Sequence, residues 1–132
     1  MQNRLLKGSR GPGILFVLIL LLGNCAKESA SSNYAEQADC TGIDAQANSY
    51  TNSIKAILDA QCATSGCHDA FSQSESIDLS NYASAKSAFE NRACLCSIHH
   101  GAGCTPMPEG RAKLSDATIQ KIDCWVKNGY QQ

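Results

Sequence analysis

No stretch of this 132-residue chain is apolar for long enough to cross a bilayer. The unbroken apolar run Ile14 to Leu22 has nine residues, against the ~20 that a spanning helix needs. Nor is there a surplus of positive charge: eleven Lys and Arg stand against twelve Asp and Glu, so no basic patch argues for nucleic acid. A phosphate-cradling loop, a hydrolytic triad and paired catalytic carboxylates are all missing. The expectation is therefore a protein that is not an enzyme and takes no small-molecule substrate. No internal repeat divides the chain, and its length is that of one domain. What it has in quantity is cysteine, eight residues.

Arg4, Lys7 and Arg10 precede the apolar run, and Gly23-Asn24-Cys25 follows it. A positive segment and a short apolar core read as an export signal. Leu22-Gly23-Asn24-Cys25 resembles a bacterial lipobox, which implies a lipoprotein signal peptide over residues 1–24 and a lipid anchor on Cys25. The expected location is outside the cytoplasm, lipid-anchored in the bacterial cell envelope and facing the periplasm or the cell surface. The mature chain keeps eight basic residues against twelve acidic ones, a mild acidity that suits a basic docking surface on a redox partner. Residues 25–49 are rich in Ser, Ala, Asn, Gln and Asp with almost nothing large and apolar. Such composition buries too little surface to offset ordering entropy, and a flexible tether is expected there, with Cys40 pinning its distal part.

From residue 50 to 132 the pattern is that of a small all-α domain. Tyr50, Ile54, Ile57, Leu58 and Cys62 share one helical face, and that helix should end near Ser65-Gly66. Ile77 and Leu79 alternate as if tucked inward. Ser80 or Asn81 can cap a second helix through Tyr82, Ala85, Ala88 and Phe89, ending near Arg92. Residues 93–109 hold two glycines and two prolines and should be irregular over most of their length. Ser115 is a good N-cap for a last helix that places Ile119, Ile122 and Val126 on one face with Trp125 beside it, stopped by Gly129. Three helices over roughly 80 residues make a marginal core, since small domains usually need disulfides, a metal or a cofactor.

The chemistry concentrates in Cys62-Ala63-Thr64-Ser65-Gly66-Cys67-His68. C-x-x-C-H is the pattern of covalent c-type haem attachment, and here four residues separate the cysteines instead of two. The chemistry asks for two thiols that add to the haem vinyl groups and for an imidazole beside the second thiol that reaches the iron. Cys67-His68 meets the second demand. Cys62 must reach across a longer loop, for which Gly66 supplies a residue tolerant of positive φ; attachment through Cys67 alone is the alternative.

This motif, followed by Leu79 and Tyr82, then Met107-Pro108, Gly110, Leu114-Ser115 and an Ile119-x-x-Ile122-x-x-Trp125 helix, resembles the small class I type cytochrome c domains carried by bacterial lipoproteins. The resemblance covers about residues 50 to 130. It implies a cytochrome c-like fold of about three helices wrapped around haem c, with Cys62 and Cys67 as covalent attachment sites, His68 as the proximal iron ligand and Met107 as the distal one. Both axial positions being filled, it implies electron transfer between redox partner proteins.

Other readings stay open. His99 and His100 are rivals for the distal position. Cys62, Cys67 and His68 could hold zinc with one of Cys94, Cys96, His99, His100 or Cys104. A haem-free, disulfide-rich extracytoplasmic lipoprotein with a structural or binding role would also explain the cysteines. With haem attached, Cys40, Cys94, Cys96, Cys104 and Cys124 can form at most two bridges; Cys94 to Cys104 and Cys40 to Cys124 are the pairs considered. Trp125 is expected in the core, against the haem or the first helix.

Overall fold

The structure, a computed structural model, describes residues 32–132, so the expected signal peptide and the expected lipid site Cys25 lie outside the described residues. Five α-helices follow one another: α1 (Ser32–Gln37), α2 (Lys55–Gln61), α3 (Tyr82–Asn91), α4 (Cys94–Ile98) and α5 (Asp116–Lys127). Among the described residues there is no strand, and no helix is long and apolar enough to cross a membrane.

Two helices begin where their polar side chains replace missing backbone partners. Asn81 accepts from the Ser84 amide at the start of α3, and Ser115 accepts from the Thr118 amide at the start of α5. The apolar spacing of α5 buries Ile119, Ile122 and Trp125. Ahead of α2 the backbone makes a π-helical turn, Tyr50–Ile54, in which the Ser49 carbonyl accepts from Ile54 N, five residues on, as well as from Ser53 N. Tyr50, Ile54 and Leu58 are buried through this turn and α2. The helix stops at Gln61, short of Ser65-Gly66, because Cys62 leaves the helical region at φ −126°.

An aromatic cluster fills the end of the core beside the C-terminus. Trp125 meets Phe89 and Tyr130 edge-on, with centroids 5.7 and 5.1 Å away, and Tyr50 meets Tyr82 at 5.3 Å. The tail is tied across it: Trp125 Nε1 donates to Gln131 O at 2.9 Å and the Tyr82 hydroxyl to Tyr130 O at 2.8 Å.

Two expectations are corrected. Five helices stand where about three were expected: α1 and the short α4, which buries Leu95, Cys96 and Ile98 ahead of the first Gly at 101, are the additions, and the rest of 93–109 is irregular. The composition-based tether does not extend through 32–49, since this stretch is packed on the domain. Ala35 joins the core, Tyr34 stacks on His99 at 4.2 Å, and α1 lies against α4 and α5. Lys127 Nζ donates to Glu36 O and Ala38 O at 3.1 and 2.7 Å, serving carbonyls that α1 leaves unpaired. The Cys40–Cys124 disulfide closes the arrangement. The tie comes from cross-chain partners, which local composition does not register.

That disulfide spans 84 residues of sequence. In the loop-closure model a bridge of this span stabilises by about 4.5 kcal/mol. A Cys40→Ser/Cys124→Ser variant should lose that much in chemical denaturation with the other bridge intact; a loss under about 1 kcal/mol would contradict this role.

Candidate functional site

Between the C-terminal end of α2, α4 and the loop that follows α4 lies a cleft of about 620 Å³, within the ~300–1,000 Å³ common to cofactor sites. Cys62, Cys67, His68 and Met107 all line it, although about forty residues separate His68 from Met107 in sequence. Ile77, Leu79, Phe89 and Ile98 give it apolar walls, and Arg92 and Arg111 are its cationic side chains.

The 62–79 wall is shaped by short-range hydrogen bonds. Cys67 N donates to Thr64 O at 2.9 Å and His68 N to Cys62 O at 3.2 Å, which folds the four intervening residues into a tight turn. Gly66 sits in that turn at φ +83°, where a side chain would be strained. Asp69 organises the next turn: its carboxylate accepts from the amides of Phe71, Ser72 and Gly66. The Ser72 hydroxyl and these amides hold its acid down to about 2. The turn leaves Phe71 98% exposed.

His68 Nδ1 lies 3.1 Å from Ser74 O and 3.3 Å from Ile77 O. Carbonyls only accept, so Nδ1 carries the proton, and Nε2 of the neutral ring is left with its lone pair. Leu79 N donates to His68 O at 2.8 Å, which ties the residue to the buried Leu79.

On the other wall, Met107 N donates to Ser97 O at 3.0 Å and His100 Nε2 bonds Met107 O at 3.1 Å. Its side chain is half-buried against the core. The Cys96–Cys104 disulfide ties the loop before Met107 back to α4. Gly101 is needed there, because a Cβ would collide with Tyr34 Oη and lie 2.8 Å from Cys96 Sγ.

The rival histidines do not line the cleft. His99 Nε2 pairs with the buried Asp123 at 2.9 Å, and His100 holds the Met107 backbone. Burial pushes the Asp123 acid up, opposed by the neighbouring His99. Cys40–Cys124 forms as considered, but the second bridge is Cys96–Cys104 and not Cys94–Cys104. Cys94 instead lines the cleft as a thiol, its Sγ 3.5 Å from Ala88 O. Cys96, Cys104 and His99 are engaged elsewhere, and although Cys94 shares the cleft with Cys62, Cys67 and His68, among the described residues no three Cys, His, Asp or Glu side chains gather as a metal site.

The thiols differ in character. Cys67 is exposed, whereas Cys62 and Cys94 are half-buried against the core. Burial pushes both of the latter up to about 11, and the neighbouring Cys94 charge adds to the rise at Cys62. One feature was not read from the sequence, the Asp69 turn, for which Asp69 followed three residues on by Ser72 was the signal; Cys94 was grouped with Cys62, Cys67 and His68 only as one of several zinc ligands.

The chain matches no protein-family model, no curated protein and no solved structure. The site is therefore defined by its own residues.

Because Asp69 is held below the ~3.9 of a free aspartate, its bonds stabilise the turn fully above that pH and are lost as pH falls through about 2. Protection of the Gly66, Phe71 and Ser72 amides, taken relative to their intrinsic exchange rates, should fall between these values. In Asp69→Ala, which removes the acceptor, protection of these amides should already be lost at neutral pH; unchanged protection would contradict the assignment.

Proposed function

We propose that this protein is a membrane-tethered mono-haem c-type cytochrome that transfers electrons. The observation that carries the reading is the convergence of Cys62, Cys67, His68 and Met107 on one cleft, with His68 Nε2 bare. The donor set fits the group: thiols for vinyl addition, a neutral imidazole and a thioether for iron. When bound, the haem supplies a one-electron couple whose potential is raised by histidine and methionine ligation relative to two histidines.

The chain's own residues would do the rest. The Cys67 thiol is exposed and adjacent to His68, and Cys62 is the second thiol of the motif. The two carbonyls at Nδ1 orient the His68 ring and make it a stronger donor. The Ser97 and His100 bonds position Met107 from its backbone. Phe89, Ile77, Leu79 and Ile98 limit water and lower the local dielectric. Arg92 and Arg111 are chemically suited to the carboxylates of a haem. The lipid anchor on Cys25 and the acidic balance of the mature chain, suited to a basic partner, belong to this proposal on sequence grounds.

The rival, a haem-free disulfide-rich lipoprotein, accounts for Cys40–Cys124 and Cys96–Cys104. It leaves three thiols, an imidazole and a thioether on one cleft without a role.

Spectra of the full chain from an exporting host with haem-maturation factors test the ligands. The oxidised protein should show the weak far-red band of sulfur-to-iron charge transfer. Met107→Ala should lose that band while keeping haem, and His68→Ala should lose the six-coordinate spectrum. A band that survives in Met107→Ala would rule the methionine out.

A further inference from the structure

The disulfides leave three free thiols on the described residues, Cys62, Cys67 and Cys94, and all three line the cleft. They are not equivalent. Cys67 is exposed on the attachment turn. Cys62 ends α2, Cys94 begins α4, and both pack against the same hydrophobic core. Both side chains are half-buried, and both open onto the one cleft. A compartment that oxidises Cys40–Cys124 and Cys96–Cys104 does not leave two further thiols of one cleft reduced without a reason.

Within the cytochrome reading, we propose that Cys62 and Cys94 close as a third disulfide on the cleft floor, and that haem is anchored by a single thioether to Cys67. With lipid on Cys25, this arrangement gives each of the eight cysteines a partner. It also gives the long gap of the motif a physical meaning. Cys62 is half-buried against the core at the end of α2, and the turn through Gly66 leaves Cys67 exposed beside His68.

The chemistry balances. Cys62 and Cys94 exchange with the disulfide of an exported thiol oxidant. Their two S–H bonds and the oxidant's S–S bond break; the Cys62–Cys94 bond and two S–H bonds on the oxidant form, and the oxidant takes up the two electrons. Cys67 adds its S–H across one vinyl group, forming one S–C and one C–H bond with no net transfer of electrons. The second vinyl group stays intact.

The test is a map of the full chain, matured with haem in an exporting host, alkylated unreduced in denaturant and digested, with tandem fragmentation separating Cys62 from Cys67. The expected result is haem on Cys67 alone and a cross-link between Cys62 and Cys94. The pyridine haemochrome α band should then lie between those of haem with two saturated vinyl groups and haem with none. Cys94→Ser should make Cys62 alkylatable. Haem found on Cys62, or Cys62 and Cys94 both alkylated in the unreduced wild-type chain, would overturn the proposal and leave the cytochrome reading intact. A colourless chain with the Cys62 to Cys94 cross-link would instead remove the haem and keep the disulfide.

Discussion

His68 Nδ1 donates to two backbone carbonyls, those of Ser74 and Ile77, and the cleft depends on those two bonds. They leave Nε2 as the only ring nitrogen able to bind a metal, and they stop the ring from turning over. The carbonyls are in place because the chain from 69 to 79 is itself held by the Asp69 turn and by Leu79, buried in the core. A break anywhere along this path would free the ring.

The opposite wall is held by other means. It has no long helix, and its loop carries Gly101, Gly103, Pro106 and Pro108. Its order comes from α4, from the Cys96–Cys104 bridge and from His100 on the Met107 carbonyl. Behind it, His99 pairs with the buried Asp123 and stacks on Tyr34, so α1 and α5 hold the segment that carries Met107. The residues from 32 to 49 thus brace the site from behind. In a domain this small such cross-ties offset what the core alone cannot supply.

Much of the fold was legible because it rests on local rules. Asn81 and Ser115 cap their helices as their side chains predict, and the spacing of Ile119, Ile122 and Trp125 buries them. Cys62, Cys67, His68 and Met107 line one cleft. What was not legible depends on distant partners. Tyr34 and Ala35 sit in a polar stretch that reads as a tether until Lys127, His99 and Cys124 are placed beside it. Cys94 and Cys96 are two residues apart, and sequence spacing does not tell which of them faces Cys104. The helix decides it, because residues two apart point to different sides of α4. Trp125 is in the core as expected, against Tyr50, Phe89 and Tyr130, but it does not line the cleft.

The measurement that bears most directly on the account is whether haem stays on the chain after acid-acetone extraction. The full sequence should be expressed in an exporting host with haem-maturation factors and extracted under denaturing conditions. The account predicts one haem retained per chain, with a c-type α band on reduction. A colourless chain from that host would contradict it and leave a helical domain braced by two disulfides.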